Sequence, residues 1–233
     1  MKTIGLIGGM SWESSLEYYR IINQEVKRRL GGLHSAKCLM YSLDFAEIEQ
    51  MQHEDRWDDA GQALADAARR LQRGGADLLV LCTNTMHRCA SHISAAVPGT
   101  PLLHIADATA SHIVADGHHN VGLLGTRFTM EQDFYKGRLA SLFGLTVLTP
   151  PAPQRQQVHD VIYNELCLGN INPASRAQYT GIIRQLQADG AQAVILGCTE
   201  IELLISQADS PLPVYPTTTL HALAAVEHAL RQE

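Results

Sequence analysis

The 233-residue chain is predicted to be an α/β protein of two pseudo-symmetric domains. Each would be a parallel sheet flanked by helices, with the active site in the cleft between them. Three observations lead there. Short apolar runs alternate with longer amphipathic stretches, the rhythm of βα units. The runs are apolar throughout, as strands buried on both faces of a parallel sheet require. Two landmarks recur at nearly one spacing. Ile4-Gly5-Leu6-Ile7-Gly8 matches Val121-Gly122-Leu123-Leu124-Gly125, an offset of 117 residues from Ile4 to Val121. Gly75 to Thr83 matches Gly190 to Cys198, an offset of 115 from Gly75 to Gly190.

The strands are expected at 4–7, 39–43, 78–82, 102–105, 121–124, 145–148, 193–196 and 213–215. Trp57 to Arg73 carries Ala60, Leu64, Ala67, Ala68 and Leu71 close to i, i+4, i+7, i+8 spacing, and Gly74-Gly75 should end that helix. Ser175 to Ala188 and Leu220 to Leu230 read the same way. Domain boundaries follow the repeat. The first half should comprise residues 1–101 and 211–233, and the second 102–210. The return of the final segment to the first half is inferred from strand counting, which leaves the last strand no partner in the second.

Composition excludes several classes. Hydrophobic residues make up 45% of the chain, enough for a core, so global disorder is excluded. With 18 basic against 24 acidic residues and a net charge of −6, no nucleic-acid partner is expected. No apolar run exceeds the length of Leu78–Cys82, so no membrane span is predicted. No targeting segment is read at the start, and the expected compartment is the cytoplasm. Five cysteines, Cys38, Cys82, Cys89, Cys167 and Cys198, form no C-x-x-C pair, so neither a zinc site nor a disulfide framework is suggested. The eleven histidines offer no metal-ligand spacing, and His87 and His104 read as surface or core residues. None of the four lysines has the context of a pyridoxal phosphate Schiff base.

Function in open α/β sheets gathers at the carboxyl ends of strands. The repeat pairs two such ends, Thr83-Asn84-Thr85 and Cys198-Thr199-Glu200. Cys198 precedes Thr199 and Glu202, spaced as a capping box. A thiol just ahead of a helix start should have a lowered pKa, needing about 2 kcal/mol to ionise at neutral pH. The first triplet can cap the next helix or bind a carboxylate. Cys82, one residue before Thr83, should point the other way, into the core. The turns Gly8-Gly9-Met10-Ser11 and Gly125-Thr126-Arg127 permit close approach of an anion to the backbone. A dinucleotide fingerprint is absent, since Gly5-x-x-Gly8-Gly9 is not G-x-G-x-x-G.

Together, Ile4 to Met10, Thr83-Asn84-Thr85-Met86-His87 and Gly197-Cys198-Thr199-Glu200 resemble the aspartate/glutamate racemase family over essentially the whole chain, and within it the enterobacterial branch of broad-specificity amino-acid racemases. The resemblance implies a cofactor-independent racemase acting by two-base 1,1-proton transfer at Cα of a small-molecule amino acid. It implies Cys198 as proton acceptor and Thr83, where the family usually has cysteine, as donor. It further implies Met10, Gln52, Asn84, Thr85, Thr199 and Glu200 as substrate-binding residues, no metal, and a homodimer, which is common in the family. Acid-selective members hold the distal carboxylate with a lysine near Tyr163 to Cys167. No lysine follows Lys136 here, so acidic and broad specificity both stay open, with Arg127 or Arg56 as substitute cations. Two other readings stand beside this one. They are a one-cysteine decarboxylase of malonate derivatives from the same superfamily, and a non-catalytic amino-acid-binding protein.

Overall fold

A computed structural model describes residues 1–231. Among them the strands are β1 (Ile4–Gly8), β2 (Cys38–Ser42), β3 (Leu78–Leu81), β4 (Leu102–Leu103), β5 (Asn120–Gly125), β6 (Thr146–Leu148), β7 (Ala193–Gly197) and β8 (Val214–Pro216). The α-helices are α1 (Trp12–Leu30), α2 (Phe45–His53), α3 (Trp57–Arg73), α4 (Ala90–Ala96), α5 (Ile105–Ala115), α6 (Arg127–Glu131), α7 (Asp133–Phe143), α8 (Ala152–Asn164), α9 (Pro173–Ala188), α10 (Ile201–Leu204) and α11 (Thr217–Leu230). Every predicted strand forms, with ends shifted by one or two residues, and α3 has the predicted limits.

The chain divides into two units, Met1–Ile105 with Thr218–Glu233, and Ala106–Thr217. The boundaries differ from 101 and 211 for a reason seen in the hydrogen bonding. β4 pairs with β3 and completes the first sheet, although the expected second half begins with it. β8 has a partner after all. It pairs with β7 and completes the second sheet, so the chain rejoins the first unit only from Thr218. Residues 232 and 233, included in the expected first half, lie outside the described residues.

Each unit holds one four-stranded parallel sheet, ordered β2-β1-β3-β4 in the first and β6-β5-β7-β8 in the second. The duplication extends to register. Ile4 pairs with Leu78 in the first sheet, and Val121 with Ala193 in the second, as offsets of 117 and 115 require. It extends to caps as well. Ala76 N–H donates to Leu71 O at 3.0 Å where α3 ends, and Ala191 N–H donates to Leu186 O at 2.9 Å where α9 ends.

In the first unit Ile4, Leu6, Leu78, Val80 and Cys82 meet Tyr18, Ile22 and Val26 of α1 and Ala222, Ala225, Val226 and Ala229 of α11. The period of two along β1 and β3 sends Gly5, Ile7, Leu79 and Leu81 to the opposite face. The buried stripe of α3 includes the predicted Ala60, Leu64, Ala67, Ala68 and Leu71, widened by Trp57, Gly61 and Ala65. In the second unit, Val158, Val161 and Ile162 of α8 and Ile182, Ile183 and Leu186 of α9 are buried. No helix among the described residues is long and apolar enough to cross a membrane.

The carboxyl ends of β5 and β7 approach closely. A Cβ on Gly125 would lie 2.7 Å from Gly197 O, and backbone cannot yield as a side-chain tip can. Gly125→Ala should therefore cost about 1–3 kcal/mol through overpacking. Gly181 is the opposite case. It lies inside α9, and a methyl group there would meet nothing within 4 Å. Gly181→Ala should stabilise the protein by about 0.5–1 kcal/mol, because alanine loses less backbone entropy in a helix. Urea denaturation of both variants checks the pair, and a Gly125→Ala protein as stable as wild type would refute the packing argument.

Candidate active site

In the first unit, two loops leave the carboxyl ends of the adjacent strands β1 and β3. After β1, Ser11 caps α1 and accepts from Ser14 N–H at 3.4 Å. Gly9 has φ +90, and a Cβ there would overlap the Leu43 carbonyl oxygen, so only glycine fits. Its N–H donates to Ser15 Oγ at 2.8 Å. This donor, expected to be available to an anion, is thus used to fix the turn. Met10 is buried beside it. Gln52, on α2, is also buried, and its Nε2 lies 2.8 Å from Met86 Sδ, next in sequence to Thr85.

After β3, Cys82 is fully buried, with its Sγ directed at Val80 O at 3.8 Å, and desolvation pushes its thiol pKa far up. It belongs to the core, as the strand alternation predicted. Thr83, Asn84 and Thr85 follow, all buried. The expected helix cap does not form. Asn84 is already in the right-handed helical region, with φ −75 and ψ −51, and its side chain caps nothing. A capping residue needs extended backbone to aim its side chain at the helix start. The segment Thr85–Cys89 continues as a 3-10 turn.

His87 is the residue that holds this loop. Its Nδ1 lies 2.7 Å from Thr83 O, and its Nε2 accepts from Ile105 N–H at 3.2 Å. An Nδ1–H neutral tautomer satisfies both contacts. Behind it lies a network that sequence reasoning missed. Tyr18 hydroxyl is 2.8 Å from His221 Nδ1, and His221 Nε2 is 3.0 Å from Leu103 O. The His87 ring stands 4.5 Å from His104 and 5.8 Å from His221. The available signal was helical spacing, since His221 shares the face of Ala225 and Ala229 on a helix already predicted.

In the second unit, Cys198 follows β7 and is nearly inaccessible, 7% exposed. Its thiol donates to Glu200 Oε2 at 2.9 Å, and Thr199 Oγ1 donates to the same oxygen at 2.7 Å. Glu200 is itself buried, 4% exposed. Two expectations fail here. The capping box between Thr199 and Glu202 is absent, because the Thr199 hydroxyl turns to a charged acceptor one residue away, a stronger partner than a backbone amide. The helix α10 starts at Ile201 and spans four residues, with no side-chain cap. The Cys198 thiol is also not acidified. Burial first, and the Glu200 carboxylate second, push its pKa well above the ordinary thiol value. A one-turn helix supplies too little dipole to oppose a full negative charge in hydrogen-bond contact.

Tyr179 is buried nearby, its hydroxyl donating to Val158 O at 2.9 Å, and burial and the charges of Cys198, Glu165 and Cys167 push its phenol up. Cys167, in the turn Leu166–Leu168, is half-buried. The two substitute cations separate clearly. Arg56 is engaged by Glu54 at 2.8 Å and Asp59 at 3.2 Å. Arg127 is exposed, with its guanidinium carbon 5.7 Å from the Phe128 ring centroid. Among the described residues, no group of three or more His, Cys, Asp or Glu side chains is arranged to hold a metal ion.

The repeat brings the two strand ends into correspondence. Gly125 pairs with Gly197, and the same position in the first sheet is Gly8 beside Cys82, whose N–H donates to Ile7 O at 2.9 Å. Cys198 is therefore the equivalent of Thr83, since Gly197 corresponds to Cys82 and each is followed by one of the pair. Chemically, the second unit offers a thiol with a carboxylate proton acceptor. The first offers a hydroxyl on a backbone pinned by a histidine.

Similarity to known proteins agrees with this plan. The Asp/Glu/Hydantoin racemase family profile matches residues 7–225. A candidate Asp/Glu racemase from Yersinia pestis is 55% identical with a TM-score of 0.92, covering 99% of this chain and 100% of that one. An aspartate racemase homologue from Pyrococcus horikoshii OT3 is 32% identical with a TM-score of 0.83, covering 99% and 100%. The aspartate racemase of Picrophilus torridus, at 21% identity and a TM-score of 0.77 over 100% and 96%, shares the fold. With a profile match over residues 7–225 and relatives 55% and 32% identical along 99% of the chain, the protein belongs to the Asp/Glu/Hydantoin racemase family.

Proposed function

We propose that the protein is a pyridoxal phosphate-independent amino-acid racemase working by 1,1-proton transfer at Cα. The observation that carries this reading is the Cys198 thiol donating at 2.9 Å to the buried Glu200 carboxylate, at the strand end equivalent to Thr83.

A neutral thiol is a poor base, and a thiolate beside an ionised carboxylate would place two negative charges together. Moving the thiol proton to Glu200 Oε2 keeps the pair at one negative charge while creating the thiolate. The thiolate then takes the Cα proton, and the carbanion electrons delocalise into the α-carboxylate. A proton from the Thr83 hydroxyl, or from water it positions, reaches the opposite face of Cα. Glu200 then gives its proton to solvent, and the alkoxide or hydroxide left behind takes one from solvent, which closes the balance. A buried site favours this sequence because fixed dipoles replace mobile water around the developing charge.

Asn84 and Thr85 suit the α-carboxylate, with Met10 and Gln52 lining the same end of the first unit. The Thr199 hydroxyl is engaged as a donor to Glu200, so its lone pairs suit the substrate ammonium. Glu200 is assigned to the thiol and not to the substrate amine, because the Oε2 that would receive the amine already accepts twice.

Proton NMR in deuterium oxide with L- and D-amino acids tests the reading. Loss of the Cα signal and appearance of the other enantiomer are expected. No exchange with any amino acid, together with carbon dioxide release from an arylmalonate, would replace it with the decarboxylase alternative. Binding without exchange would leave a binding protein.

A further inference from the structure

We infer that His87 is the positioning residue for the Thr83 hydroxyl, and that it serves only the half of the reaction that Thr83 performs. Thr83 as proton donor comes from the racemase reading, on which this rests, while the geometry lies wholly within the first unit. The 3-10 turn after Thr83 creates the need. In an α-helix the N–H of residue 87 would bond the carbonyl of residue 83. Here that N–H donates to Asn84 O at 3.1 Å, and the Nδ1 of the His87 side chain stands 2.7 Å from Thr83 O. The side chain thus takes the place of the diverted backbone donor. Thr83 and His87 are both buried, where a carbonyl left without a donor is destabilising.

The tautomer of His87 is dictated from the far side of its ring. Ile105 N–H donates to Nε2 at 3.2 Å, so Nε2 carries no proton and the single ring N–H lies at Nδ1, facing Thr83 O. The segment that supplies this amide is held by a second buried histidine. His221 Nε2 lies 3.0 Å from Leu103 O, and a carbonyl can only accept, so Nε2 donates. The Tyr18 hydroxyl stands 2.8 Å from His221 Nδ1. His104, between Leu103 and Ile105, packs its ring 4.5 Å from that of His87. Tyr18, His221, the Leu103–Ile105 segment and His87 therefore form one buried network that ends on Thr83 O. A fully satisfied buried network of this kind fixes an orientation more firmly than its separate pairs.

Holding the Thr83 carbonyl fixes the backbone from which the hydroxyl projects. Cys198 lies in the other unit, and none of these contacts involves it. Loss of the His87 donor should therefore slow proton delivery by Thr83 without slowing proton removal by Cys198.

Wild type, His87→Asn, His87→Gln and Tyr18→Phe are compared in deuterium oxide on the L and D pair that wild type turns over fastest. The reaction starts from the enantiomer that gains deuterium before it inverts, the one that Cys198 deprotonates. Proton NMR reads deuterium in the recovered starting enantiomer, which requires Cys198 alone. Chiral chromatography reads the inverted product, which requires Thr83 as well. The amide nitrogen of asparagine replaces Nδ1, and the amide oxygen of glutamine replaces Nε2. His87→Gln should lower inversion about 10- to 100-fold, as a misplacement of about 1 Å does, with exchange without inversion held within about threefold. His87→Asn keeps a donor for Thr83 O and should recover most of the inversion. Tyr18→Phe should lower inversion less than His87→Gln does, again sparing exchange. Exchange and inversion falling together, unchanged inversion in His87→Gln, or His87→Gln outperforming His87→Asn would each overturn the assignment. Urea denaturation checks folding, and if both His87 variants unfold, an unaltered ratio of exchange to inversion in Tyr18→Phe overturns it. A wild type that exchanges no Cα proton would refute the racemase reading itself, whereas normal wild-type turnover with a parallel fall in the variants refutes only the role of His87.

Discussion

Replacing Cys198 by serine should reduce Cα proton exchange by about 10³-fold or more while leaving the fold intact. Serine preserves shape and can still donate to Glu200 Oε2, so packing around the buried position changes little. What is lost is the acidity of the conjugate acid. An alcohol gives up its proton far less readily than a thiol, and positioned acid–base groups contribute on the order of 10²–10⁴-fold. Deuterium incorporation at Cα, followed in both directions from L and D enantiomers, measures the effect. Exchange at the wild-type rate would mean that Cys198 is a buried structural thiol, as Cys82 is. The pH dependence has a defined sign. Both burial and Glu200 raise the Cys198 pKa, so the thiolate fraction grows with rising pH, and alkylation of Cys198 should be slow at neutral pH and accelerate under alkaline conditions.

Replacing Glu200 by glutamine should depress exchange at neutral pH by about 10²-fold and, at the same time, make Cys198 easier to ionise. The two effects arise from one contact. The carboxylate opposes a thiolate electrostatically, so removing its charge moves the thiol pKa down. The carboxylate is also the acceptor for the thiol proton, so glutamine leaves that proton without a destination inside the site. The alkylation profile of Glu200→Gln should therefore shift to lower pH while exchange falls. A purely structural role would lower both together. If exchange instead rose in step with thiolate population, Glu200 would be an electrostatic brake and not a proton acceptor. Glu200→Asp, which shortens the reach but keeps the charge, should retain the high alkylation profile and part of the exchange.

Both variants depend on residues whose place is legible in the chain itself. The repeat makes Cys198 the counterpart of Thr83 and puts Cys82 in the core, and the paired registers of the two sheets reproduce that correspondence. Strand and helix positions are legible because they depend on short-range rules, such as apolar runs of strand length, helical spacing along α3, and glycines where α3 and α9 end. The domain edges are less so. β4 and β8 are two and three residues long, too short for periodicity to say which sheet they join, and only their hydrogen bonds do.

The sequence by itself determined the α/β class, the duplication, and the pair of strand ends at Thr83 and Cys198. These follow from local pattern and from similarity between halves, which the chain carries along its length. Tertiary structure alone decided which polar groups meet. Tyr18 reaches His221 across 203 positions of chain, and no spacing rule connects them. Glu200 is only two residues from Cys198. Even so, whether it binds substrate, caps a helix or accepts the thiol proton depends on burial and side-chain direction, which arise when the whole unit packs. The sign of the Cys198 pKa shift changed for that reason. A helix start read in isolation predicts an acidified thiol, whereas a desolvated pocket shared with a carboxylate makes the thiol a weaker acid, with a defined partner for its proton.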